Sequence, residues 1–189
     1  MPVMSRAQRV FCRSAPWRAV AGGLVLPWAL QGRVPIGDVL EVGAGSGAMA
    51  AEVLRRHPTV CLTATDYDPA MVAASAARLG PFGDRAHAQV ADATALPFED
   101  ASFDTVLSWV MLHHTIEWEQ ALAELVRVLR PGGYLAAYDL LALPGRHGDE
   151  HVRKMQADEL RSVLAALPVD EVHVRPVAGL LVRFSARAR

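Results

Sequence analysis

The chain has 189 residues, 52% of them hydrophobic, enough to bury one substantial core with no need of a second. Its 19 basic and 20 acidic side chains leave a formal net charge of −1, which argues against general binding to nucleic acid or to an anionic membrane surface. Two cysteines, Cys12 and Cys61, stand in no metal spacing. Cys61 falls in an apolar run where a small buried residue is expected, and both suit free thiols in a reducing cytoplasm.

Residues 1–36 are expected to form a helical segment ahead of an α/β core at 37–189, the whole being one domain. Arg6, Arg9, Arg13 and Arg18 precede an apolar stretch at 19–30 that loosely imitates a signal peptide. Gly22, Gly23 and Pro27 interrupt that stretch, and it is much shorter than the roughly 20 residues of a spanning helix, so neither secretion nor a transmembrane segment is expected. Phe11, Trp17 and Trp28 could close over a ligand as an aromatic lid or could be plain core, and these arginines, with Arg183, Arg187 and Arg189 near the other end, are expected on a solvated face.

From Gly37 onward, short apolar runs alternate with helix-length amphipathic ones, the pattern of βαβ units around a parallel sheet. Strands are expected at 38–42, 60–65, 86–91, 103–109 and 134–138. Helices are expected at 48–56, ended by His57 and Pro58; at 69–79, opened by Pro69; and at 118–129, ended before Pro131-Gly132-Gly133. A further helix is expected at 158–167, followed by β runs at 169–175 and 180–185. Only Pro176 to Gly179 separates those two runs, too short a link for a crossover helix, so they must form an antiparallel hairpin at the sheet edge.

Gly43-Ala44-Gly45-Ser46-Gly47 follows the first strand and opens the first core helix, where backbone N–H groups can approach a nucleotide-like ligand. Asp66 closes the second strand about 20 residues later, placed to accept from ribose hydroxyls, and Asp92 puts another acceptor at the same carboxyl edge. Gly43, Gly45 and Ala48 also fit the dinucleotide fingerprint, which keeps an NAD-dependent oxidoreductase open at this point.

Several segments together resemble the class I S-adenosylmethionine-dependent methyltransferases, in particular the small-molecule branch of the ubiquinone/menaquinone-biosynthesis type. They are the Glu41 to Gly47 loop, Asp66-Tyr67-Asp68-Pro69-Ala70-Met71, the Asp92 to Phe98 run, Ser102-Phe103-Asp104, Leu112-His113-His114, and Leu125 to Gly133. The resemblance implies a Rossmann-like three-layer sandwich: a mostly parallel seven-stranded sheet in the order 3-2-1-4-5-7-6 with strand 7 antiparallel. It implies S-adenosylmethionine as cofactor, with Gly43, Ala44 and Gly45 approaching the methionine end and Glu41 holding the loop or the amino group. Asp66 would hold the ribose, and Tyr67 and Met71 would pack on the adenine. Asp92 and the amide of Ala93 would read the adenine edge, and Ser108 and Trp109 would border the sulfonium.

Methyl transfer is an in-line displacement, so an enzyme contributes by orienting two molecules and excluding water, and needs a base only where the acceptor loses a proton. His113 and His114 follow the fourth strand and are the candidates for such a base, although either could serve only to fix the loop; as adjacent histidines without nearby Cys or carboxylate ligands they make no metal motif. Trp17, Tyr138 and Asp139 are substrate-facing candidates. Ser108-Trp109-Val110-Met111 stands where adenine-N6 and glutamine methyltransferases carry Asn-Pro-Pro-Tyr, and a cysteine pair for cytosine C5 chemistry is absent. A small-molecule or lipid-headgroup acceptor is therefore expected, in a pocket that is shallow or completed by a second subunit in a homodimer. A catalytically inactive cofactor-binding module is the remaining alternative.

Overall fold

The computed structural model describes residues 21–141 and 155–189, so Phe11, Cys12 and Trp17 lie outside the described residues. Seven strands form one sheet in the order β3-β2-β1-β4-β5-β7-β6. β1 (Asp38–Val42) lies in parallel between β2 (Cys61–Asp66) and β4 (Phe103–Trp109). β3 (Ala86–Val90) extends the sheet beyond β2, and β5 (Leu129–Leu140) continues it beyond β4, both in parallel. β7 (Leu181–Ala188) then pairs antiparallel with β5 and with the edge strand β6 (Val169–Val177).

The central strands carry apolar side chains on both faces because helices cover both. Along β1, Leu40 and Val42 face one layer and Val39 the other. The first layer is built by α4 (Trp118–Arg127) and α5 (Ala157–Ala166). On α4, Trp118, Ala121, Leu122, Leu125 and Val126 are all buried, the i, i+3, i+4, i+7, i+8 stripe of a helix lying on a sheet. Each large side chain on that stripe contributes about 1.5–3 kcal/mol by leaving water. The second layer is built by α1 (Leu26–Leu30), α2 (Ala48–Arg56) and the C-terminal end of α3 (Pro69–Leu79).

The described part of the N-terminal segment belongs to the core. Leu26 and Ala29 of α1 are fully buried, and the Trp28 ring meets Tyr138 of β5 edge to face, with centroids 5.3 Å apart. Arg183 of β7 was expected on a solvated face, but it lies over the Trp28 ring at 5.1 Å and donates to the Trp28 carbonyl at 2.7 Å. Its aliphatic stem and planar head bind α1 to β7.

Three local expectations shift. Cys61 is exposed, because it is the first residue of β2 and lies at the open amino edge, ahead of the strand's covered stretch. The Pro131-Gly132-Gly133 run does not precede β5 but forms an irregularity inside it, where the register with β4 shifts between Phe103 and Thr105. A Cβ on Gly133 would stand 2.9 Å from the Asp104 carbonyl, so the strand can cross there only as glycine. The hairpin forms as the link length requires. Its turn is tighter than Pro176 to Gly179, for β6 runs on to Val177, with Ala178 (φ 50°) and Gly179 (φ 66°) both left-handed.

Candidate active site

The glycine loop leaves the carboxyl end of β1 and enters α2. Gly43 has φ +73°, and a Cβ there would lie inside van der Waals contact with the Met111 side chain. The loop therefore seats on the segment that follows β4. Ala44 N–H donates to the Thr65 carbonyl of β2 at 2.9 Å, which ties the loop to the neighbouring strand. Gly45 differs: a Cβ built there would meet nothing within 4 Å, so its backbone borders open space.

Asp66, last residue of β2, joins loop and strand. One carboxylate oxygen accepts from Gly45 N–H at 2.8 Å and the other from Asp68 N–H at 2.9 Å. Burial raises its pKa and these backbone donors oppose the rise. The Tyr67 amide also acts on this carboxylate, whose two oxygens together still have acceptor capacity beyond these three donors. Asp68 caps α3 by accepting from Ala70 N–H at 2.8 Å. Met71, in the first turn of α3, is buried, whereas Tyr67 is 44% exposed at the mouth.

Asp92 is shaped by its own loop. Its Oδ1 accepts from both the amide (2.9 Å) and the hydroxyl (2.7 Å) of Thr94, and Ala93 beside it is buried. From α4, Arg127 and Glu124 clamp the following stretch. Arg127 donates to the carbonyls of Phe98 at 2.9 Å and Leu96 at 3.2 Å, while Glu124 accepts from Leu96 N–H at 2.8 Å. Neither the Met111 contact nor this clamp was anticipated. A methionine and an Arg three residues after a Glu on a helix carry no local signal of what they will reach.

Glu41 lies on the face of β1 covered by α2 and is 1% exposed. Burial pushes its carboxyl up to about 8, and among the described residues its Oε2 has no hydrogen-bond partner. Ser108 Oγ and Trp109 Nε1, at the end of β4, are likewise buried and unpartnered among the described residues. Trp109 stacks on Tyr138 with centroids 5.5 Å apart, and both rings belong to the apolar layer beneath α1 and α2.

On the opposite face, the turn Leu112–His114 closes over the end of β5. Asp139, 1% exposed, points inward. Its Oδ2 accepts from Leu112 N–H, and its Oδ1 faces His113 Nδ1 and accepts from Leu140 N–H, all at 2.6 Å. The His113 and His114 rings lie 3.8 Å apart. Burial, then His113, lower the His114 pKa, against the pull of Asp139. Among the described residues no group of three His, Cys, Asp or Glu is arranged to hold a metal ion, and no helix is long and apolar enough to cross a membrane.

The glycine loop, Asp66, Asp92 and the two histidines thus meet along one carboxyl edge of a 3-2-1-4-5-7-6 sheet. The methyltransferase domain family matches residues 40–137, more than half of the chain, which take in the glycine loop, Asp66, Asp92 and both histidines. The chain belongs to that family. Its class I methyltransferase domain is 34% identical, over 51% of the chain, to a ubiquinone/menaquinone biosynthesis C-methyltransferase of Geobacter sulfurreducens, and spans 39% of that protein. It is also 34% identical, over 80% of the chain, to the 27-O-demethylrifamycin SV methyltransferase of Amycolatopsis mediterranei, spanning 57% of it. Among solved structures, a SAM-dependent methyltransferase from Aquifex aeolicus superposes with a TM-score of 0.76 at 18% identity, over 99% of this chain and 100% of that one. At that identity the superposition speaks for the fold alone.

Proposed function

We propose that this methyltransferase domain binds S-adenosylmethionine at the carboxyl edge between β1 and β4 and transfers its methyl group to a small-molecule or lipid-headgroup acceptor. The observation that carries the reading is the Asp66–Gly45 bond, which fixes a carboxylate with remaining acceptor capacity beside a glycine whose Cα borders open space. A ribose needs those acceptors, and a chain passing over the loop needs that clearance.

The residues fit the rest of the cofactor as well. Glu41 offers a buried oxygen without a partner, and an ammonium group brought beside it would favour the ionised carboxylate that burial now opposes. Ser108 Oγ supplies a second unpartnered polar atom at the end of the neighbouring strand. Tyr67, partly exposed, supplies an aromatic surface near Asp66, whereas Met71 is buried within the fold, and Asp92 with the Ala93 amide provides polar groups at the next strand end. When bound, the cofactor supplies an electrophilic methyl on a sulfonium. The chain's own task is to hold donor and acceptor in line and to keep water out, for which effective molarity and desolvation are the main sources of rate. The names of the two relatives, one acting in quinone biosynthesis and one on a rifamycin, together with the near-zero net charge, favour a small organic acceptor over a polyanion.

Isothermal calorimetry with S-adenosylmethionine, S-adenosylhomocysteine and NAD tests the donor. Binding of the first two is expected, and Asp66→Ala should weaken it by about 1–3 kcal/mol while the variant remains folded. Tight NAD binding with neither sulfur compound bound would replace this reading by an oxidoreductase. Labelled-methyl transfer to phenols, amines and lipid extracts tests the reaction, and cofactor binding without any transfer would leave an inactive binding module.

A further inference from the structure

We propose that the β6–β7 hairpin is a membrane-docking element whose apolar tip enters an anionic lipid surface while Arg175, with Arg183 beside it, faces the headgroup phosphates. This surface lies outside the cofactor residues, so the inference does not depend on the methyl-donor reading.

The near-zero net charge of the chain conceals an uneven placement. Residues 172–189 contain four arginines and no acidic side chain, although the whole carries a formal −1. Two of the four are paired towards the amino edge of the sheet, Arg187 with Glu171 at 3.2 Å and Arg189 with Asp170 at 2.9 Å. The other two lie towards the carboxyl edge. Arg183 stands in register between Tyr138 of β5 and Arg175 of β6, so the three side chains share one face. Among the described residues neither Arg175 nor Arg183 meets an acidic side chain. Burial, then the Arg175 charge, lower the Arg183 pKa. Like charges directly across a ladder repel, and a layer of lipid phosphates turns that repulsion into attraction.

Beyond this pair the chain turns through Val177, Ala178, Gly179 and Leu180 without a charged group, and Leu180 is 49% exposed. Its carbonyl accepts from Leu141 N–H at 2.8 Å, which brings it beside Leu140, 40% exposed at the end of β5. Trp28 meets Tyr138, and Arg33 lies over Tyr134, four residues deeper in β5, so this segment descends from the carboxyl edge. Leu24, 71% exposed, therefore stands one turn above Trp28, on the same side of the rim. Three residues separate Leu180 from Arg183, about 10 Å of extended chain, against the 5–10 Å that interfacial apolar groups enter the headgroup–acyl boundary. With the tip inserted, the cations stand at phosphate level, and the carboxyl edge that holds the glycine loop, Asp66 and Asp92 turns towards the lipid. Other occupants fit less well. Glu171 (φ 47°) sits at the break in the β6–β7 register, and Pro176 offers no N–H, so β6 is a poor edge for an added strand. A second copy across a two-fold axis would set Arg175 and Arg183 against their own like charges.

Vesicle flotation of the full-length chain tests the proposal. Vesicles of phosphatidylcholine and phosphatidylglycerol in equal parts should carry the protein, and vesicles of phosphatidylcholine alone should carry little. Raising salt from about 0.1 M to 1 M, which shortens the Debye length from about 10 Å to 3 Å, should weaken the binding. Arg175→Gln should lower the partition coefficient about fivefold, and Arg175→Lys should restore it. Leu180→Ser should lower it about three- to tenfold, since half of that side chain is free to enter lipid. All three variants should keep the wild-type unfolding midpoint. Absence of binding to the anionic vesicles, equal binding to both kinds, or undiminished binding by a folded Arg175→Gln/Leu180→Ser double variant would each overturn the proposal. A wild-type dimer in sedimentation that Leu180→Ser dissolves would also overturn it, by assigning the tip to a second copy.

Discussion

Glu41 concentrates the residue-scale physics of the site. Its pKa of about 8, against 4.5 for an ordinary glutamate, comes from burial. Above about pH 4.5 the unfolded chain releases this proton while the folded chain keeps it, so the native state binds more protons and loses stability as pH rises. The contribution is complete below pH 4.5 and is lost as pH climbs through about 8. Glu41→Gln cannot ionise, so its stability relative to the wild type should grow across that window by up to about 1.4 kcal/mol per pH unit, measured by denaturant unfolding. Parallel pH profiles for the two proteins would mean that the folded carboxyl is already charged. The same variant should bind S-adenosylmethionine more weakly. Glu41 was legible in the sequence as the start of the glycine loop, but its orphaned oxygen was not, since burial of one strand position depends on which helix covers it.

At the scale of elements, the strand-to-helix turn depends on two segments meeting. Gly43→Ala places a side chain at φ +73° and into Met111. The left-handed backbone costs about 1–2 kcal/mol, and forcing an extra methyl into a packed contact adds about 1–3 kcal/mol. The denaturation midpoint should fall with little change in slope. In a Met111→Gly background, which removes both the Cβ and the Cγ that would be struck, the steric part should vanish and the backbone part remain, so equal losses in both backgrounds would show that Met111 is not the obstacle. The glycine itself was readable because loops of this spacing need left-handed residues. Its partner, 68 positions along the chain, was not, because only the parallel pairing of β1 with β4 brings the two together. β5 teaches the same lesson. Pro131-Gly132-Gly133 signals a break by local propensity, yet sheet pairing carries the strand back to Leu129 and absorbs the glycines as an irregularity.

For the whole molecule, ligand binding and fold stability are linked because the proposed cofactor site spans β1, β2, β4 and the turns above them and exists only when these are folded together. Saturation with S-adenosylhomocysteine at about a hundred times its Kd should add about 2.7 kcal/mol to unfolding. For a chain of this size that corresponds to roughly a 5–10 °C rise in Tm, which scanning fluorimetry would resolve. NAD at the same concentration should leave Tm unchanged, and a rise with NAD alone would argue for the dinucleotide reading.

The sequence by itself determined the alternation of strands and helices, the terminal hairpin and the acidic residues at strand ends. Each depends on periodicity, link length or turn chemistry, which are properties of neighbours along the chain. The strand order came with the family resemblance and is the order observed. Tertiary structure alone decided that Cys61 is exposed, that Arg183 lies over Trp28, and that Asp139 turns inward to hold Leu112 and His113. Each of these depends on contacts between segments far apart in sequence, and no local pattern encodes which side chain will meet which across a folded sheet.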